Sequence, residues 1–323
     1  MQDEILAHFG LTIPLDKVGY YETDRHKELF KDIRSAIGEG KLIALCGLIG
    51  SGKTLTLKRL QNILEDDKKV TVSRSLSIEK NTVKLGALLA ALFYDLSTEK
   101  NIQIPKGVER REREFLELLK KNKRPVVMFI DEAHDLNGNT LIGLKRLIEL
   151  VEYGDGKLSI ILAGHPKLKN DLQRPTMEEI GFRTEVFSLD KLAGNQREYI
   201  YWLIASSSQG KVKTDAILDE DALDMFSTLL RTPLQVQRYL KLALKAVYQS
   251  GEKRVTTEIL ESVLSKQLNE IEAILVRNGY RIKDLVDQFD AKPAEIKALF
   301  NNTLDPIRAT ELRDKMLQAG LPL

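Results

Sequence analysis

Hydrophobic and polar positions fall into two regimes along the chain. Up to about residue 190, short apolar blocks recur between longer helical patterns. The blocks cover residues 41–46, 69–73, 126–130, 158–164 and 183–189. Each has the length of a strand, and the apolar runs at 41–46, 126–130 and 158–164 suit a parallel sheet buried on both faces. The intervening segments 24–37, 54–64 and 83–96 space their apolar residues at helical intervals, and a charged helix runs from after Pro105-Lys106-Gly107 to residue 121. Segment 166–182 reads as loop and helix. Beyond residue 190 the strand signals stop. Helices are expected over 195–205, 219–230, 233–248, 256–264, 266–276, 281–289, 294–300 and from Pro306 to 319, with Pro233 at a helix start. The pattern predicts an α/β fold with a five-stranded parallel sheet over 1–190, a helical lid over 191–268 and a small helical C-terminal region over 269–323.

One stretch between the first block and the first long helix carries chemistry. Gly47-Leu48-Ile49-Gly50-Ser51-Gly52-Lys53-Thr54 reads G-x-x-x-x-G-K-T in the order strand, glycine loop, helix. Glycines let the backbone turn its N–H groups toward an anion at the helix N-terminus. Lys53 then reaches the β- and γ-phosphates, and the Thr54 hydroxyl ligates Mg²⁺. Gly47, Gly50, Ser51, Gly52, Lys53, Thr54 and Leu55 form the expected ATP-binding set. Chance occurrence of the pattern in a chain of this length is on the order of one in a hundred.

The block at 126–130 closes on Asp131-Glu132-Ala133-His134. Carboxylates at the C-terminal end of a parallel strand stand where open α/β sheets bind ligands. Asp131 is placed to hold Mg²⁺ through water and Glu132 to orient and deprotonate an attacking water; acidic caps on an ordinary strand end are the plainer explanation. The block at 158–164 ends in His165. In P-loop sheets with an additional strand this end points at the γ-phosphate, so His165 reads as a nucleotide sensor or as a loop residue. Tyr20 or Tyr21 offers a flat face for adenine, or packs in a core.

Composition narrows the class. The 323 residues are 43% hydrophobic and 30% charged, as in a soluble globular protein. Formal net charge is +2, from 49 Lys+Arg against 47 Asp+Glu, so any nucleic-acid surface must be local. The single Cys46 forms no internal disulfide. The longest apolar run, 85–93, is far short of the ~20 residues that cross a bilayer. With no signal-peptide pattern at Met1-Gln2-Asp3-Glu4, a cytoplasmic location and no membrane partner are expected.

Together the phosphate loop, the strand ending in Asp131-Glu132, the strand ending in His165, Arg183 and the helical lid resemble the AAA+ ATPases. Within them, Tyr20-Tyr21-Glu22-Thr23, Asp131-Glu132-Ala133-His134 and Leu162-Ala163-Gly164-His165-Pro166-Lys167-Leu168 are similar to the transposition regulators of the TnsC, TniB, IstB and MuB group and to the ExeA-type ATPase domain. The resemblance covers about 20–255. It implies an ATP- and Mg²⁺-dependent ATPase that oligomerises as a ring or filament on double-stranded DNA. It also implies recruitment or activation of a transposase, with a target-selection factor as a further partner, and disassembly controlled by hydrolysis. In such assemblies an arginine before the fifth strand reaches the neighbour's γ-phosphate; Arg183 is the first choice and Arg174 the second, against an ordinary surface ion pair. The sequence departs from the pattern at the lid helix, where Leu234 and Gln235 replace the usual arginine and Arg231 and Arg238 stand on either side.

The resemblance also implies a DNA-facing loop and helix after the second strand, hence phosphate contacts from Lys80, Lys84 and Arg74. The stretch 106–124 holds eight basic residues and four acids, but its apolar stripe reads as an amphipathic helix. Segments 282–289 and 293–300 have the spacing of a helix-turn-helix or a partner-docking tail. A replication initiator or helicase loader, and a nucleotide-gated scaffold with little turnover, are the alternatives. A helicase of the Asp-Glu-Ala-His type needs a second RecA-like domain, which about 130 mainly helical residues cannot supply.

Overall fold

The five apolar blocks are the strands of one parallel sheet in the computed structural model, which describes residues 2–74, 85–97, 103–189, 194–264 and 270–323. The strands are β1 (Leu42–Cys46), β2 (Thr71–Arg74), β3 (Val126–Ile130), β4 (Leu158–Gly164) and β5 (Thr184–Ser188), in the order β2-β3-β4-β1-β5. All four pairings are parallel. Strands β1, β3 and β4 are buried along their whole length, which is why their sequences run apolar without alternation.

Alternate residues serve opposite faces. Leu42, Ala44 and Cys46, Val126, Met128 and Ile130, and Leu158, Ile160 and Leu162 share one core with Leu88, Leu92, Phe93, Phe115, Leu144 and Val151. Ile43, Leu45, Val127, Phe129, Ile161 and Ala163 are equally buried on the other. Register then sets the level at which each strand ends. Cys46 pairs with Gly164 and Ile130 with Leu162. Continuing each strand, Gly47 reaches the level of His165 and Glu132 that of Gly164.

The described residues form two compact units. Thr23–Gly47 and Lys53–Leu189 contain the sheet; Met1–Glu22, Leu48–Gly52 and Asp190–Leu323 form the other. The second of these is helical. Its larger core gathers Ile5, Leu6 and Phe9 with Ile200, Leu203, Phe226, Val236, Leu240, Leu244 and Leu260. The helix Pro233–Ser250 starts with Thr232 as N-cap, a capping box with Gln235 and Pro233 in the first turn, and stops at Gly251 in the left-handed region. A separate core of Tyr280, Leu285, Ile296, Leu299, Leu312 and Met316 holds the last helices. Among them Ile282–Phe289 and Pro293–Phe300 flank a three-residue turn, with Asp290 in the left-handed conformation.

Two helices lie where no helix was expected. Gln2–His8 occupies the N-terminal lead, and Gly138–Tyr153 fills the stretch between β3 and β4. The second has clear local causes: the Asn137 side chain accepts from the Thr140 N–H at 2.8 Å, and Leu141, Leu144, Leu147 and Val151 recur on its buried side. No helix among the described residues is long and apolar enough to cross a membrane.

Candidate nucleotide site

Three neighbouring strands, β3, β4 and β1, deliver the polar residues to one edge of the sheet. The Gly47 N–H donates to the Gly164 carbonyl at 3.1 Å, tying the exit of β1 to that of β4. The helix Lys53–Asp67 follows the phosphate loop and begins with the two residues of the motif that carry side-chain chemistry. Lys53 is buried, and its Nζ donates to the Gly47 carbonyl at 2.9 Å and lies 3.3 Å from His165 Nδ1. Burial draws its pKa below the usual lysine value, against the opposing pull of Glu132 and then Asp131. The Thr54 hydroxyl donates to Asp131 Oδ2 at 2.7 Å. Leu55, next on the helix, is exposed.

Asp131 also accepts the Glu132 N–H at 2.9 Å through its Oδ1. Glu132 itself sits at φ 55°, ψ 35°, the left-handed region that non-glycine residues seldom occupy. That turn directs its carboxylate to two imidazoles. Oε2 is 3.4 Å from His134 Nε2 and 4.0 Å from His165 Nε2. The two rings are 3.8 Å apart between centroids, tilted by 39°. In the sequence His134 stands only as the end of the acidic motif; its place beside Glu132 depends on the tight turn after β3.

The loop between Gly47 and Lys53 belongs to the helical unit. Gly50 and Gly52 have φ of 80° and 91°, which only glycine adopts without strain. The Ser51 N–H closes a turn on the Leu48 carbonyl at 3.1 Å, while Ser51 Oγ is buried with no hydrogen-bond partner. The Ile49 N–H donates to the Arg277 carbonyl at 3.0 Å, and the Gly50 carbonyl accepts from the Leu234 N–H at 3.2 Å. Burial, and after it the neighbouring Arg231, lowers the Arg277 pKa. Nothing local in the sequence announces Arg277, which lies more than two hundred residues from the loop.

The other expected residues are placed as follows. Tyr21 packs against Tyr199 and Trp202, with centroids 5.3 and 5.1 Å away, and Tyr20 is partly exposed. Arg183 is exposed and paired with Glu149; Arg174 is paired with Asp171 at 2.8 Å. The Arg231 N–H is held by the Gln235 side chain at 2.8 Å, and the Arg238 guanidinium lies 6.0 Å from the Tyr239 ring centroid. Arg74 ends β2 and pairs with Glu65 at 2.6 Å. Lys80 and Lys84 lie outside the described residues.

Residues 34–172 match the profile of a protein family described as an AAA domain. No curated protein matches the chain. Several solved structures do. Cdc6p from Pyrobaculum aerophilum is 17% identical with a TM-score of 0.50, over 93% of this chain and 82% of that one. ORC2 of Aeropyrum pernix, solved as ADPNP–ADP complexes, is 14% identical with a TM-score of 0.53, over 92% and 86%. A chain of Drosophila ORC bound to DNA is 14% identical with a TM-score of 0.54, over 96% and 82%. Residues 34–172 are thus similar to an AAA domain, and the chain shares the α/β fold of these AAA+ neighbours.

Proposed function

We propose that this chain is a Mg²⁺-dependent ATPase whose nucleotide state governs its assembly on double-stranded DNA, in the service of DNA transposition. The observation that carries the reading is the convergence of Lys53, Thr54, Asp131, Glu132 and His165 at the ends of three adjacent strands. The Thr54 hydroxyl and Asp131 carboxylate are a hard oxygen pair of the kind Mg²⁺ takes. When bound there, Mg²⁺ neutralises charge on the transferring phosphoryl group. Lys53 supplies a cation to the β- and γ-phosphates, and Gly47, Gly50, Ser51, Gly52, Thr54 and Leu55 supply the surrounding loop and helix start. Glu132 orients water and accepts its proton, held to its task by His134 and His165. Tyr20 and Tyr21 remain the proposed adenine-side residues.

Arg183 of one subunit, or failing it Arg174, completes the site of the next, so ATP stabilises the assembly and its hydrolysis loosens it. Residues 1–190 form the ATPase domain in this reading, 191–268 the lid, and 269–323 a tail for DNA or partner. Lys80, Lys84 and Arg74 contact DNA phosphates, and the assembled protein recruits a transposase together with a target-selection factor.

A second reading, a replication initiator or helicase loader, is favoured by the fold shared with Cdc6p, ORC2 and ORC. Co-purification with a transposase or with a replicative helicase separates the two. The common core is tested with Glu132→Gln, which should bind ATP, release no phosphate and persist on duplex DNA in electron micrographs. Assemblies no longer-lived than wild type would remove the proposed switch.

A further inference from the structure

Beside the oxygen pair Thr54–Asp131 lies a second cluster with different chemistry. Glu132, His134 and His165 each offer one ligand atom, and these atoms all lie within 4.8 Å of one another. We infer that this trio is a binding site for a borderline-soft divalent ion, Zn²⁺ foremost, distinct from the Mg²⁺ position, and that its occupancy stops ATP turnover.

The donor set and the spacing both argue for it. Two imidazole nitrogens and one carboxylate oxygen are the ligands of open, three-protein-ligand zinc sites. Ligand distances of about 2.0–2.2 Å in a tetrahedron put donor atoms about 3.4 Å apart. Glu132 Oε2 stands 3.4 Å from His134 Nε2 and 4.0 Å from His165 Nε2, so closure on an ion needs only small side-chain shifts. The imidazoles are buried to 8% and 11% side-chain exposure, whereas the carboxylate is 39% exposed and leaves an entry path. Binding through His165 Nε2 requires the ring proton on Nδ1, a tautomer reached when Lys53 gives up Nδ1 and keeps its bond to the Gly47 carbonyl at 2.9 Å.

Mg²⁺ competes poorly here, because it demands oxygen ligands in an octahedron, while imidazole favours zinc and its neighbours. An ion held by Glu132 draws charge from the carboxylate and so weakens it as the base that would accept the proton of the attacking water. The regulatory half of the inference therefore rests on the hydrolytic role proposed for Glu132; the binding half rests on the three ligands alone.

The test uses the full chain, stripped with chelator, and CoCl₂ as a spectroscopic probe without nucleotide. One equivalent of Co²⁺ should give a visible band of tetrahedral type that ZnCl₂ displaces. His134→Ala should weaken Co²⁺ binding at least about tenfold, whereas His8→Ala and His26→Ala leave it unchanged. With Mg²⁺-ATP present, ZnCl₂ should inhibit phosphate release by the wild type over the concentration range in which it displaces Co²⁺. Wild-type affinity in His134→Ala, or no stoichiometric band in the wild type, overturns the site. Zinc bound without loss of turnover overturns its regulatory role. If Mg²⁺-ATP is never turned over, the ATPase reading fails, and the cobalt band still reports on the site.

Discussion

The Leu234 N–H donates to the Gly50 carbonyl at 3.2 Å, and a Cβ placed on Gly50 would lie only 2.6 Å from the Leu234 Cβ. The first turn of the helix Pro233–Ser250 therefore rests directly on the loop at Gly50, in a position where AAA+ resemblance leads one to expect an arginine. Gly50 also has φ 80°. Gly50→Ala combines a strained backbone with an unavoidable overlap, at a cost of about 2–4 kcal/mol. Thermal melting should fall by several degrees, and nucleotide affinity should fall with it. A second change, Leu234→Ala, removes the 3.1 Å contact with Cδ2 but leaves Cβ in place, so it should not rescue. Wild-type stability in Gly50→Ala would show that the helix does not press on the loop.

Glu132 supplies a second test through its backbone alone. A non-glycine residue in the left-handed region costs on the order of 1 kcal/mol or more. Glycine relieves that strain, at an entropic cost of roughly 0.5–1 kcal/mol in the unfolded chain. Alanine retains the strain and loses the carboxylate. Glu132→Gly should therefore be at least as stable as Glu132→Ala in urea denaturation, the reverse of the order in a helix interior. Both should lack phosphate release. An alanine variant clearly more stable than the glycine variant would show that the turn is not strained.

Cys46 connects the sheet to a pH dependence. It ends β1 between Gly164 of β4 and Ser188 of β5, and burial pushes its thiol up to about 11. An unfolded cysteine ionises near pH 8.5. Between these values the unfolded chain has released the proton and the folded chain keeps it, so folding stability falls as pH rises from about 9 toward 11. Cys46→Ala removes this contribution without touching the other alkaline groups. The difference in urea midpoint between wild type and Cys46→Ala should shift against the wild type from pH 7 to pH 10. At neutral pH the native thiol should resist aromatic disulfide reagents until the protein unfolds.

What could be read from sequence was what neighbours in the chain decide. Continuous apolar runs gave β1, β3 and β4, because a strand covered on both faces has no polar side to show. The glycine spacing and the acids after Ile130 pointed to the candidate site, where adjacent parallel strands end side by side. Gly138–Tyr153 carries equally local signals, an Asn137 cap and leucines at helical spacing. Arg277 beneath Ile49, Leu234 over Gly50 and Tyr21 against Trp202 are different in kind. They join residues far apart in sequence through packing that no local periodicity encodes. His134 falls between: its residue type was visible, but its place beside Glu132 depends on a left-handed turn.

The proposed shared site makes Arg183 separable from Glu132. In the isolated chain Arg183 is 60% exposed and held by Glu149, which also binds Lys145 at 2.9 Å. An exposed pair of this kind contributes little to stability, so the guanidinium is free to exchange one carboxylate for a neighbour's phosphate. Arg183→Ala should keep its melting temperature within a degree or two and its affinity for ATP. Its phosphate release in assembled form should drop about a thousandfold or more, the scale of a lost trans arginine. Glu132→Gln is inactive for a different reason, since its arginine is intact. When the two inactive proteins are mixed on duplex DNA, an Arg183→Ala subunit can receive its arginine from a Glu132→Gln neighbour and supply its own glutamate. Turnover should reappear in the mixture, measured as phosphate release against the mixing ratio. A mixture as inactive as its components would assign Arg183 to the surface, and the same experiment with Arg174→Ala would then decide whether that residue takes the role.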